Sequence, residues 1–242
     1  MTTRRVETSV AGLDTMLRGG FLPGTVILVR GAPGTGKTSL ALQFLVEGAR
    51  QGEPGLFVTF EEFPESLYRD AATLGFDLRA LEATGMLRLL FTSPAVLLGQ
   101  LQNPDSAIHA TTGDGVIERA VIDSMTHFTR MTADAYQLRH IHTTVVNGLR
   151  REGITTLLLN EESPSDAQRT DPGGLAYLSD GIILLRYVEV ESAIERAIVV
   201  LKLRGSDHAR EIRHYRIQEG GLVVGDVFQH RGAILSGISR RD

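Results

Sequence analysis

The sequence contains no cysteine and only two lysines, Lys37 and Lys202. Without cysteine, disulfides, thiolate nucleophiles and Cys-type zinc sites are all excluded. No apolar run approaches the roughly 20 residues that span a bilayer. Residues 1–8 are polar and charged, unlike a secretory leader. The expectation is therefore a cytoplasmic protein with no membrane partner. An excess of positive charge is also missing: the net charge is −4. Nothing in that total calls for nucleic acid or an anionic surface. The scarcity of lysine is itself informative. Arginine and lysine interchange freely on solvated surfaces, so a rare lysine marks a place where a compact ammonium fits and a planar fork does not.

What is present is ample core: 42% of the 242 residues are hydrophobic. There is no internal repeat and no break in composition, so residues 1–242 read as one domain. The organising stretch is Gly31-Ala32-Pro33-Gly34-Thr35-Gly36-Lys37-Thr38. It fits G-x-x-x-x-G-K-[ST], a loop that wraps phosphate. The apolar run Thr25–Val29 before it reads as a buried strand. Leu40, Ala41, Phe44 and Leu45 after it have helical spacing. Glycines let successive backbone N–H groups converge on a phosphate, and the helix N-terminus adds partial positive charge. Gly34, Thr35, Gly36, Lys37, Thr38 and Ser39 are thus the candidate nucleotide-binding residues. Lys37 would reach the β- and γ-phosphates, and Thr38 would ligate Mg²⁺.

Along the rest of the chain, Leu56–Phe60 predicts a strand, and Pro64 starts a helix that Gly75 stops. Further strands are expected over Met86–Phe91, Glu118–Ser124 and Thr155–Leu159. A helix with long irregular flanks is expected between Thr92 and Gly115. A long amphipathic helix over Ala133–Arg151 buries Leu138, Ile141, Val145, Val146 and Leu149. Alternating strands and helices imply an α/β fold with a mostly parallel sheet covered on both faces. Ser163–Gly174 reads as a mobile loop. After it, the strands Gly181–Val188 and Ala197–Arg204 leave no room for a helix between them, and Ile212–Ile217 alternates up to a turn at Glu219-Gly220-Gly221. This predicts an antiparallel C-terminal extension.

Ligands of open α/β sheets sit at the carboxyl ends of the strands, and three strands here end in acids. Asp123 would hold Mg²⁺ opposite Thr38. Glu61 and Glu62 end a strand expected to neighbour the phosphate-loop strand, where a carboxylate can deprotonate the attacking water. Adjacent side chains alternate in direction, so one of the two faces the nucleotide. Asn160 is either a γ-phosphate sensor or a turn residue. His127, His140 and His142 sit near or on the long helix, and their spacing does not read as a metal site.

The chain resembles the RecA-like ATPase superfamily of P-loop NTPases and, within it, the KaiC family of the circadian clock. The resemblance rests on Leu13-Asp14 with Gly19-Gly20, Gly31–Thr38, Val58-Thr59-Phe60-Glu61-Glu62, Val121-Ile122-Asp123-Ser124 and Lys202-Leu203-Arg204-Gly205-Ser206-Asp207-His208. It implies ATP and Mg²⁺ as ligands, a homo-oligomer (a hexameric ring) with nucleotide between subunits, and a regulatory protein partner of unknown identity. By that resemblance Lys202 and Arg204 would act on the neighbouring subunit's γ-phosphate, Leu203, Ser206 and His208 would line the nucleotide from the same side, and Thr73 would approach it from its own subunit. The clock protein has two ATPase domains, and this chain has one. Where the clock protein carries an adjacent Ser-Thr pair that it phosphorylates, this chain has Ala176-Tyr177, leaving Ser165, Thr170 and Ser179 as nearby hydroxyls. Three rival readings are a DNA-binding RecA/RadA-like ATPase, with Arg150-Arg151 and Arg169 as its modest basic candidates, a non-hydrolysing binding module in which ATP only holds subunits together, and a serine-threonine autokinase or protein kinase.

Overall fold

The computed structural model describes residues 4–102, 116–162, 173–190 and 192–228. The loop expected over 163–174 and the tail beyond 228 lie largely outside them, as do the flanks over 103–115, Ser165, Arg169 and Thr170. In chain order the elements are α1 (Leu13–Met16), β1 (Val26–Gly31), α2 (Lys37–Arg50), β2 (Gly55–Thr59), α3 (Pro64–Thr73), α4 (Leu78–Ala83), β3 (Leu87–Phe91), α5 (Pro94–Gln102) and β4 (Arg119–Asp123). There follow α6 (Thr126–Thr129), α7 (Ala135–Arg151), β5 (Thr155–Glu161), α8 (Leu175–Leu178), β6 (Gly181–Val190), β7 (Ala193–Leu203), β8 (Arg213–Gln218) and β9 (Gly221–Val227).

The strands form one sheet in the order β3-β2-β4-β5-β1-β6-β7-β8-β9. From β3 to β6 the pairing is parallel, and from β6 to β9 it is antiparallel. The α/β expectation with an antiparallel extension holds. One detail does not: β2 does not neighbour β1. It pairs with β3 and β4, and both β4 and β5 stand between it and the phosphate-loop strand. Adjacency in sequence does not dictate adjacency in a crossover-connected sheet. The acids at the end of β2 therefore approach the loop across two intervening strands.

The central strands are apolar on both faces because both are covered. On one side Ile27, Val29, Leu157, Leu159, Ile183 and Leu185 pack under α2 and the lead-in residues Val6, Leu13 and Phe21. On the other, Val26, Leu28, Leu158 and Ile182 pack under α7 through Ile141, Val145 and Leu149. Helix α7 starts where Asp134 accepts from the Gln137 N–H at 2.7 Å, a side-chain cap that satisfies one orphan donor. On the α2 side of the sheet lies Arg119, fully buried at the start of β4. Its guanidinium donates to Glu53 at 2.6 Å and to the carbonyls of Glu7 and Phe44, each at 2.8 Å. Gly48 makes room for it, since a Cβ there would stand 2.4 Å from Arg119 Cδ.

Candidate nucleotide site

The loop Gly31–Thr38 leaves the carboxyl end of β1 and enters α2 through Gly36, which is left-handed at φ 92° and ψ 23°. Gly34 also has positive φ, 79°. Both positions are also too crowded for a side chain. A Cβ on Gly36 would lie 2.4 Å from Ile217 Cδ1, and one on Gly34 would lie 2.9 Å from the Tyr187 hydroxyl oxygen. The glycines thus serve close packing as well as backbone freedom.

Lys37 is largely buried, and its ammonium donates to the carbonyls of Gly31 at 2.9 Å and Ala32 at 3.1 Å. Burial pulls its pKa below the usual lysine range, while the charges of Glu161, Asp123 and Glu162 push back. Thr38 Oγ1 donates to Asp123 Oδ2 at 3.1 Å, bringing together the two residues assigned to Mg²⁺. Burial raises the Asp123 carboxyl to about 6; the Thr38 bond and Lys37 oppose this, and the charges of Glu62 and Glu161 add to it. A desolvated carboxylate beside a hydroxyl is a hard oxygen pair that a small divalent cation would stabilise. The donor chemistry thus fits Mg²⁺, and the glycine-lined loop with its buried ammonium fits a triphosphate. The peptide bond between Asp123 and Ser124 is cis.

The two glutamates after β2 diverge. Glu61 pairs with His127 of α6, with Nε2 to Oε2 at 3.3 Å, and the His127 ring meets Phe60 edge-on at 5.7 Å. Glu62 is held through its backbone by Thr59: its N–H donates to Thr59 Oγ1 at 3.1 Å, and its carbonyl accepts from the same hydroxyl at 3.0 Å. The Glu62 side chain is open to solvent, yet its pKa is raised, first by partial desolvation and then by Asp70 and Glu61. Of Glu61 and Glu62, it is Glu62 whose charge acts on Asp123. Asn160 Nδ2 donates to the Glu161 carbonyl at 3.2 Å. Glu162 is neutralised by Arg30 at 2.5 Å and Arg186 at 3.6 Å.

The second set of candidates lies elsewhere. In the sheet register Gly31 is level with Leu185, whereas Leu203 is level with Gly181. Four residues of strand, roughly 13 Å, separate the loop from the end of β7. Lys202 and Arg204 therefore stand at the amino end of the parallel strands and the phosphate loop at the carboxyl end. Lys202 Nζ donates to three carbonyls that close α8: Ala176 at 3.0 Å, Tyr177 at 3.2 Å and Ser179 at 2.6 Å. A point-like ammonium can serve three converging carbonyls. Half-exposed Arg204 donates to the Tyr177 carbonyl at 2.9 Å and lies 3.9 Å from Asp180. Leu203 is buried in the core. Ser206 donates to the Asp207 carbonyl at 3.0 Å, and His208 is half-buried. Thr73 ends α3 with its hydroxyl donating to the Asp70 carbonyl at 2.7 Å. Next to it, the Gly220 N–H of the β8–β9 turn donates to the Leu74 carbonyl at 2.9 Å.

Three residues that sequence reasoning did not single out touch this site: Tyr187, Tyr215 and Ile217. The shared face of Tyr215 and Ile217, two apart on β8, was visible as alternation. Their apposition to a loop some 180 residues earlier was not. Arg150 is engaged by Asp180 at 2.7 Å, and Arg151 donates to the Leu101 carbonyl at 2.8 Å. Both lie on a helix, not a pore-facing loop. The Ser179 hydroxyl is buried and donates to the Leu175 carbonyl at 2.6 Å.

Comparison with known proteins gives the family and the fold. The family model described as "ATPase: KaiC" matches residues 6–227. The circadian clock oscillator protein KaiC of Picosynechococcus sp. is 36% identical over 241 residues, covering 98% of this chain and 46% of that protein. The chain thus spans about half the length of the clock proteins it matches. The UPF0273 protein PH0284 of Pyrococcus horikoshii is 30% identical, covering 96% of this chain and 99% of that one. A crystal structure of the KaiC-like protein PH0186 from Pyrococcus horikoshii superposes with a TM-score of 0.81 at 28% identity, covering 93% of this chain and 100% of that one. No described helix is long and apolar enough to cross a membrane. On the match over residues 6–227, the glycine-lined phosphate loop and the acid at the end of β4, this chain belongs to the KaiC ATPase family.

Proposed function

We propose that this chain is a Mg²⁺-dependent ATPase that assembles head to tail into a ring, a hexamer, with each nucleotide held between two copies. Its role is regulatory, with ATP turnover switching conformation for a protein partner. One observation carries the reading. Lys37 and Arg204 stand at opposite ends of the sheet, so both can serve one phosphate only if they come from different chains. A heterologous contact that closes on itself gives a ring.

In this reading the loop amides and Lys37 bind the β- and γ-phosphates, Lys37 exchanging the Gly31 and Ala32 carbonyls for phosphate oxygen. Thr38 and Asp123 hold Mg²⁺, which when bound offsets charge on the phosphate oxygens. Glu62 orients the attacking water and takes its proton; its raised pKa suits a base. Glu61, held by His127, supports it. Arg204 of the next copy, together with its Lys202, stabilises the charge that develops on the γ-phosphate. Leu203 anchors that strand, while Ser206 and His208 border the seam and Thr73 borders the nucleotide from its own chain. The DNA-binding reading is weaker, because Arg150 and Arg151 are held within the chain.

The test is phosphate release from Mg-ATP. Glu62→Gln should retain ATP binding and lose about 10²–10⁴-fold in rate, and Glu61→Gln should lose less. No release above background by the wild-type protein, or an unchanged rate in Glu62→Gln, would refute the reading.

A further inference from the structure

The antiparallel extension does more than widen the sheet, because it reaches over the phosphate loop. Tyr215 of β8 is 3% exposed. Its hydroxyl donates to the backbone carbonyl of Thr35, inside the loop. On the same face of β8, Ile217 presses on Gly36, and Tyr187 of β6 stands at Gly34. Burial pushes the Tyr215 hydroxyl above the usual tyrosine range, so it is a donor at neutral pH.

The chemistry follows from the geometry of one peptide. In a planar trans peptide the C=O of Thr35 and the N–H of Gly36 point in opposite directions. Fixing that oxygen against Tyr215 turns the Gly36 N–H to the other side. A left-handed residue such as Gly36 belongs to the concave run of amides that receives an anion. Thr35 is fully buried, and its own side chain is turned back to the Ala32 carbonyl at 2.8 Å. Tyr215 is thus the side chain from outside the loop that holds this peptide.

We infer that Tyr215 is a positioning residue for nucleotide binding: its hydroxyl presets the Thr35–Gly36 peptide so that the phosphate finds its amide already aimed. This rests on the nucleotide-binding reading above. A preset donor favours bound phosphate in all states alike, so it acts on affinity and leaves the chemical step alone.

The experiment measures Mg-ADP and Mg-ATP dissociation constants, kcat at saturating ATP, and thermal melting for wild type and Tyr215→Phe. The phenylalanine keeps the ring in its packing and removes only the donor. Both dissociation constants should rise about tenfold, with kcat within about twofold. A Tyr215→Phe chain that melts lower but binds both nucleotides as wild type does would show a purely structural tyrosine and overturn the inference. A loss of kcat with unchanged affinity would also overturn it. If Tyr215→Phe does not melt cooperatively, 3-fluorotyrosine at position 215 decides. It keeps the donor, so affinity should stay within about threefold of wild type, and a tenfold loss there would overturn the inference. Absence of any Mg-ADP binding by the wild-type protein would instead remove the nucleotide-binding reading itself.

Discussion

Mixing two inactive variants, Lys37→Ala and Arg204→Ala, should restore ATP hydrolysis if the nucleotide lies between copies. Each variant alone breaks every site. Lys37→Ala removes the ammonium of the phosphate loop, and Arg204→Ala removes a charge whose counterparts elsewhere contribute about 10³–10⁵-fold to rate. The structure fixes why restoration needs two chains. The register places the loop and the end of β7 roughly 13 Å apart along the strands, with the loop projecting away from Arg204 and not toward it. In an equal, random mixture a seam is intact when its loop comes from an Arg204→Ala chain and its finger from a Lys37→Ala chain. That is about one seam in four, whatever the ring size. The mixture should therefore reach about a quarter of the wild-type rate, orders of magnitude above either variant. The assay is phosphate release from differently tagged variants, unfolded together, refolded and shown to co-purify. A co-purifying mixture whose rate stays at the mean of the two variants would refute the shared site. Because the finger would come from a second chain, hydrolysis should also depend on protein concentration.

Two further outcomes are expected. In EDTA and without nucleotide, the Asp123 carboxyl, raised from 3.8 to about 6, binds a proton more tightly folded than unfolded, so stability falls as pH rises from about 4 through about 6. The contribution is about 3 kcal/mol at most; melting of Asp123→Asn should lack this part of the slope, and an equal slope in both proteins would contradict it. Arg119→Met leaves the buried Glu53 carboxylate with Arg4 as its remaining cation and takes the donor from the Glu7 and Phe44 carbonyls, which should cost about 2–4 kcal/mol and lower Tm by about 8 °C. A shift within about 2 °C would show that the ion pair contributes nothing net.

Much of this protein was legible in its sequence because the relevant physics is local. The phosphate loop announces itself through glycine and lysine spacing. Strands β1, β4 and β5 are continuous apolar runs, and α7 carries helical periodicity with Asp134 at its start. The short helices α4, α6 and α8 were not anticipated, since four to six residues give too little period to read. The expected contact between β1 and β2 failed because crossover connections skip strands. Glu61 and Glu62 were expected to diverge by strand alternation, but β2 ends at Thr59 and both stand in a bend beyond it, so spacing did not say which one acts on Asp123.

The sequence by itself determined the chemistry available: a phosphate-wrapping loop, acids after apolar strands, and two lysines in a chain that otherwise uses arginine. Tertiary structure alone decided which of these groups meet. It brought Thr38 to Asp123, set Glu61 on His127, laid Tyr215 on the loop peptide, and put Lys202 and Arg204 at the far end of the sheet. Motifs depend on neighbours a few residues away and can be read along the chain. Strand order and register follow from how both faces of the sheet are buried at once, and that is a property of the whole fold.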